Sequence, residues 1–589
     1  MFTSLLYMAS YVVIFSGFFY LPKKINKRLD GISWIGISII LIMCFQVIIS
    51  SFINILGIPI NIFSLGIINL VIGTTMWIII VRNKTFQRYS FDFINIIFLI
   101  ILIVLVISLG LWQFGPHLNI RYETSDPAMH LQFAREIINS QKVSGMFFSP
   151  LTNAIILQII APFINISKLY KAFIGIDIVM LFLSGFIFYI SISRLMKSTF
   201  TKIFGFLLTI LYVLGYPLNN MIFGFFYLGL GVTLICGLIY LSDCYVYNEI
   251  SKNINIILIG IIMCGIILCY SLFAPVAFIS VFVLLILQFK KENRLWTQNF
   301  FITIALTILL PGLIGIYYGY FNYFPEQSIS PLQMIQFEGY IYRDLFSSFV
   351  IPLPFAIYGG MQIIKTKQKN LAVILAPILC SLMLIMLCAG LSGKVSSYYF
   401  YKNHYLMWMI VFYLLMHGVL FLSQQLKSMI IIYSSLWFII ALLNFTGLEY
   451  KINQRNVLFE PSIKSPAFFE IYNFNRSILD TRPFYDHNKV NLYEYTYTNI
   501  LSQTDNNVRI PFAGDWLDCY WYEAITNQVG NTIRYWLVGE EKFLEYFNNG
   551  ELGNYIVVLY DGELYEKHPD YFNNLDRIYE NSAGFIAVH

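Results

Sequence analysis

Chemistry could be carried by the stretch Arg121-Tyr-Glu-Thr-Ser-Asp-Pro-Ala-Met-His130, which brings Glu123, Asp126 and His130 close together just ahead of Arg135 and Glu136. Asp126 and His130 are spaced i, i+4, so on a helix they lie one above the other. Pro127 fits the first turn of such a helix and would make Asp126 its N-cap. A capping aspartate can still act as a general base that takes a proton from an attacking hydroxyl. Glu123 could be a second carboxylate or a ligand for a divalent metal ion, although a lone glutamate in a loop is more often simply solvated. The cluster lies between an apolar run, 91–115, and an amphipathic segment, 131–140. Charges at such a boundary are costly unless solvated, paired or used.

Further candidates sit far along the chain. Lys402 and His404 occur in Ser396-Ser-Tyr-Tyr-Phe-Tyr-Lys-Asn-His404, at the end of another apolar run, and Arg343 in Tyr340-Ile-Tyr-Arg-Asp344. These cations could meet a developing phosphate charge. The competing roles are an interfacial aromatic belt around Lys402 and a pair with Asp344 for Arg343. In Gly514-Asp-Trp-Leu-Asp-Cys-Tyr-Trp-Tyr522, Asp515 and Trp516 could bind a sugar acceptor, although an aromatic stripe on a helix is more often core.

The elements that must position these residues are membrane helices. Of 589 residues, 58% are hydrophobic and 12% charged, against about 25% charged in soluble domains. The net charge of +5 is too small to indicate a partner such as nucleic acid. All cysteines but Cys519 lie in or beside apolar runs, with no metal or redox spacing. The apolar start, 1–20, is followed rather than preceded by its basic residues, which predicts a retained helix with its N-terminus outside.

Apolar stretches predict about 14 spans, at 2–21, 32–54, 60–81, 92–114, 171–193, 203–217, 222–242, 254–271, 275–289, 299–319, 345–364, 371–391, 400–422 and 428–447. The basic connections 23–28, 82–88, 194–202, 290–294, 365–369 and Lys427 then alternate onto the cytoplasmic side. This requires the short apolar stretch 151–166, which contains Pro162, to be an interfacial or re-entrant helix. The loop 115–170, the turn 270–275 and the loops 321–344 and 392–404 all fall outside. The domains are then N-terminal helices over 1–90, a transmembrane core over 91–448 and an acidic outer α/β domain over 449–589. In that last domain 491–500 and 554–560 read as strands, 575–580 and 584–589 as a terminal hairpin, and 466–480 and 540–548 as helices. The fold class is a polytopic α-helical membrane protein with a small C-terminal α/β domain.

The outer loop, with Ser125-Asp126-Pro-Ala-Met-His130, a juxtamembrane helix to Ser140 and the Pro-containing Ser149-Pro-Leu-Thr-Asn153, resembles the GT-C superfamily of membrane glycosyltransferases. That superfamily includes protein mannosyltransferases and aminoarabinose transferases. The resemblance implies a polyprenyl-phosphate sugar donor, an extracytoplasmic acceptor (glycopolymer, lipid or protein) and inversion at the anomeric carbon. It also implies Asp126 as base, with His130 orienting it or touching phosphate. No phosphate-cradling glycine loop or dinucleotide fingerprint occurs, which favours a lipid-linked over a nucleotide-linked donor. The rival readings are a transporter or flippase of lipid-linked saccharide, which needs no base at Asp126 and calls for internal repeats that the sequence does not show, and a polysaccharide polymerase or ligase with a lipid-diphosphate donor, which calls for paired arginines where only Arg343 is a candidate. A proton- or ion-coupled transporter would place acids in mid-membrane, where only Asp177 comes near. The basic loops place the chain in a bacterial plasma membrane.

Overall fold

The structure, a computed structural model, describes residues 2–22, 29–82, 89–143, 149–323, 333, 335–343, 347–425, 438, 470–502, 510–528, 532–548 and 554–588. Among them, 12 helices are long and apolar enough to cross a membrane. The chain is a multi-pass helical membrane protein carrying a small C-terminal α/β domain. Twelve of the expected spans, 2–21 through 371–391 apart from 345–364, together with 400–422, coincide with these helices to within several residues. The expected span at 428–447 lies almost wholly outside the described residues. The expected span 345–364 has a shorter helix than read: Pro352–Lys365 has 14 residues, with a tight turn at Ser347–Phe349 before it, and Lys369 just beyond it reaches Gln288 at 3.2 Å, at the end of the bundle that carries the basic connections. Pro352 starts that helix, and it packs closely on the long helix Ser397–Gln425. A Cβ on Gly359 would fall 2.1 Å from the Leu414 carbonyl oxygen, so small residues set this crossing, as is usual between membrane helices.

The connections sort into two ends of the bundle. At one end Leu29–Asp30 pairs with Tyr89–Ser90, Lys202 pairs with Asp92, Arg194 with Glu249 at 2.7 Å and Lys252 with Glu292 at 2.6 Å. These are the basic connections expected to share a side. At the other end Asn54 bonds the Val143 carbonyl at 3.0 Å and Asn61 bonds Gln141 at 2.9 Å. That second end carries the loop around Asp126.

The short apolar stretch folds as the helix Ser149–Ile160 followed by tight turns at Ala161–Phe163 and Ile166–Lys168. One break went unread in the sequence. The helix Thr199–Leu214 stops at Gly215, and a separate short helix, Tyr216–Phe223, follows. Pro217 was the available signal. The carbonyls freed there do not go unpaired. Asn475, on the helix Glu470–Thr481, donates to Leu214 at 2.9 Å and to Gly215 at 2.8 Å.

The C-terminal domain is a five-stranded mixed sheet in the order Ile533–Arg534, Pro511–Ala513, Tyr555–Leu559, Gly584–Val588, Asp576–Asn581. The terminal hairpin and the strand near 554–560 are as expected. Along Tyr555–Leu559 the side chains alternate: Ile556 and Val558 pack with Phe543 and Phe572, while Val557 and Leu559 join the larger core. Both faces are covered, which is why this strand reads as one continuous apolar run. The expected strand at 491–500 is instead helical, His487–Tyr495 continuing as a wider turn to Leu501. Asp486 caps it by accepting from the Asn488 N–H at 2.8 Å. Leu492, Tyr493, Thr496 and Ile500 are buried, a helical spacing that the Tyr/Thr alternation concealed.

Arginines clasp this domain to the membrane bundle through backbone carbonyls. Arg121 donates to Arg482 at 2.6 Å, Trp112 at 2.9 Å and Leu479 at 2.9 Å. Arg482 returns a bond to the Tyr122 carbonyl at 3.2 Å. Arg135 reaches the carbonyls of Ala524 at 2.6 Å and Ile525 at 2.7 Å, near the end of the helix Trp516–Thr526, where carbonyls lack intrahelical partners. Arg135→Ala would strand these groups at a cost of about 2 kcal/mol or more. The expected outcome is a lower melting temperature and faster proteolysis within 470–588, with Gln132→Ala, which removes one bond to Tyr520, losing less. Unchanged proteolysis would show that the clasp lies elsewhere.

Candidate functional site

The loop around Asp126 is held by the end of the short helix Tyr216–Phe223. Its last carbonyls face the loop: the Glu123 N–H donates to Ile222 at 3.1 Å and the Thr124 hydroxyl to Phe223 at 2.7 Å. Gly224 ends that helix in the left-handed region, at φ +72, the usual glycine stop. A Cβ there would lie 2.0 Å from Pro127 Cγ. The Asp126–Pro127 turn therefore sits in space that only a glycine leaves open.

The helix Asp126–Ser140 begins one residue earlier than expected. Ser125 takes the cap position without a side-chain capping bond, so Asp126 is the first helical residue and not the N-cap. Its half-buried carboxylate makes no capping bond and lies 3.4 Å from the Tyr398 hydroxyl, which donates to it. Tyr398 and Lys402 stand one turn apart on Ser397–Gln425. The Lys402 ammonium lies 3.9 Å from the centre of the Tyr398 ring, with Phe225, Tyr399 and Tyr270 at 5.6, 5.6 and 5.9 Å. Such faces attract a cation, and among the described residues Lys402 forms no ion pair. Asp126 acts electrostatically on both Lys402 and His130 without touching either.

His130 is half-buried against Tyr227, ring centroids 4.5 Å apart. Burial pushes it down to about 4, outweighing the opposing pull of Asp126. It is therefore neutral at ordinary pH. Its Nδ1 has no hydrogen-bond partner among the described residues, and that nitrogen can take or give a hydrogen bond but carries no charge.

Of the sequence candidates, Asp126, His130 and Lys402 lie near one another. Arg343 is exposed and pairs with Glu338, while Asp344, its expected partner, lies outside the described residues. Glu338 in turn accepts from the Ser397 N–H at 3.2 Å and hydroxyl at 2.9 Å, so this pair buttresses the start of the helix that carries Tyr398. His404, two residues beyond Lys402, points away on the helix and packs among Phe349, Phe400 and Tyr401. It is a core residue. Glu123 is buried beside Arg482 at 3.4 Å. Burial raises its pKa against the pull of Arg482 and Arg121, and it serves the clasp. Asp515 and Trp516 are exposed at the start of Trp516–Thr526, and among the described residues Trp516 meets the ring of Tyr520 edge-on at 5.8 Å. Among the described residues no three His, Cys, Asp or Glu side chains gather as a metal site. Asp177 accepts from Tyr122 at 2.5 Å, which ties it to the loop.

The sequence reading missed Tyr398, Tyr270 and Tyr227. Only the i, i+4 spacing of Tyr398 and Lys402 could have flagged the first. The chain matches no known family model and no curated protein. A solved structure similar to it is the crystal structure of ArnT from Cupriavidus metallidurans in the apo state, 10% identical, with 83% of this chain and 97% of that chain covered and a TM-score of 0.43.

Gly224→Ala should cost about 1–2 kcal/mol for the left-handed backbone alone, and more through Pro127. A melting temperature equal to wild type would show that the loop does not rest on this contact. In an NMR titration of labelled histidine, His130 should protonate near pH 4 and not near 6.5. The unfolded chain takes up this proton first, so its contribution to stability is constant above about pH 6.5 and falls as pH drops towards 4. A midpoint near 6.5 would show the ring to be solvated.

Proposed function

We propose that this protein is an integral membrane glycosyltransferase that moves a sugar from a polyprenyl-phosphate carrier to an acceptor outside the cytoplasm. The observation that carries the reading is an aspartate free of capping duty, 3.4 Å from Tyr398, beside a lysine caged by aromatic rings. This group lies at the end of the bundle opposite the basic connections. The proposal places that end outside the plasma membrane of a bacterium, together with both termini and the domain 449–589. Residues 1–90 are then accessory helices and 91–448 the catalytic core.

In this reading Asp126 takes the proton of an acceptor hydroxyl as its oxygen attacks the anomeric carbon. The bond from that carbon to the phosphate oxygen breaks, its electron pair leaves with the polyprenyl phosphate, and configuration inverts. Lys402 meets the charge that develops on the departing phosphate. In a site poor in water such a cation stabilises the transition state more than it does the already charged ground state only if it is fixed in place, and the ring cage fixes it. Tyr398 holds the Asp126 carboxylate towards the acceptor. Neutral His130 supplies a hydrogen bond without competing for the carboxylate as an ion partner.

The test is transfer from radiolabelled polyprenyl-phosphate sugars in membrane lipid extract by the purified full chain. Asp126→Asn should lower turnover by about 10²–10⁴, and Lys402→Met should lower it with little change in the melting temperature. Equal transfer by wild type and Asp126→Asn removes Asp126 as the base. Translocation of labelled lipid without transfer would favour a flippase.

A further inference from the structure

Away from the Asp126 site, two apolar cavities of about 690 and 430 Å³ run along the helix Leu169–Ser193. They share Ile156, Ile176 and Val179 and so form one groove. Its upper end is bordered by Lys168 and Lys171, at the end of the bundle that carries the loop. Its lower end reaches Leu183 and passes between this helix and the two N-terminal spans. From Lys171 to Leu183 the helix rises about 18 Å, close to the roughly 15 Å depth of one leaflet's hydrocarbon.

Two features separate this groove from an ordinary lipid-facing surface. Gly175 lies in its wall with nothing within 4 Å of the position a Cβ would take. A helix interior does not favour glycine, and here no close helix crossing needs one, so what the missing side chain provides is the width of the groove. Secondly, neither Lys168 nor Lys171 forms an ion pair among the described residues. Lys168 is exposed, and Lys171 lies only beside the ring of Tyr170, 5.8 Å from its centroid. Two uncompensated ammonium groups above an apolar channel one leaflet deep match a lipid with a phosphate head and a long hydrocarbon tail. Basic pockets between membrane helices bind such head groups.

We infer that the groove along Leu169–Ser193 is a specific site for one anionic phospholipid, its phosphate on Lys168 and Lys171 and one tail past Gly175 towards Leu183. This holds whether or not Asp126 transfers sugar, and its test needs no turnover. The full chain in mild detergent is mixed with phosphatidylglycerol or with phosphatidylcholine of the same tails, and retained lipid is counted by native mass spectrometry. Wild type should keep one phosphatidylglycerol under activation that strips phosphatidylcholine. Lys168→Gln with Lys171→Gln should weaken retention about thirtyfold, from roughly fivefold per lysine near an anionic lipid. Gly175→Trp should fill the channel and abolish retention. Val179→Trp, at a position 55% exposed, repeats that blockade where Gly175→Trp fails to fold. Ile107→Trp, on another exposed helix face, should change nothing. Equal retention of both lipids by wild type overturns the inference. So does undiminished phosphatidylglycerol on a folded Gly175→Trp or Val179→Trp protein, or a loss with Ile107→Trp as large as with these.

Discussion

The candidate site depends on what happens to the carbonyls at the end of one short helix. A helix leaves its last carbonyls without partners, and in a membrane protein those groups are costly to bury bare. Tyr216–Phe223 ends inside the bundle, and the polar loop supplies its partners: the Glu123 N–H and the Thr124 hydroxyl. The same bonds that satisfy the helix fix where Asp126 stands. The helix end and the carboxylate's position are thus one structural problem with one solution. Gly224 makes it possible by leaving room for Pro127.

Much of the architecture was legible because the bilayer simplifies the reading. A span must be long and apolar, and the basic connections do gather at one end of the bundle. The failures came where that rule has no grip. The break at Gly215 is invisible to hydropathy because both halves are apolar, and it is sustained by Asn475, far away in sequence. The segment 491–500 alternates like a strand, yet its buried set is helical, since a packed aromatic such as Tyr493 is decided by its neighbours and not by local pattern. In the site, Asp126, His130 and Lys402 could be picked out as charged groups in an apolar chain. His404 could not be set apart from Lys402 without the rotation of the helix, and Tyr398 looked like any of the many tyrosines until the fold placed it over Asp126.

The charges of the loop divide between two tasks. Glu123 and Arg135 were read as part of one cluster and Arg121 opens the same stretch, but all three serve the joint between bundle and C-terminal domain. Arginine suits that work, because its planar fork can serve several carbonyls from one buried position and it keeps its charge. What remains at the site is small: one carboxylate, one neutral imidazole, one ammonium and their rings. The polar outer loop is therefore mostly scaffold.

The joint also imposes an order in time. Arg121 and Arg135 leave the ribosome some 358 to 390 residues before the carbonyls they will bind, which at ordinary rates of synthesis is roughly 20–80 seconds. Through that interval Arg135 lacks its two carbonyl partners, and Arg121 has just the Trp112 carbonyl of its three. The spans between can insert and pack, but the loop lacks its final contacts until the end of the chain arrives. The membrane helices up to Gln425 can therefore stand in place around a loop that the segments 470–502 and 510–528 have yet to complete.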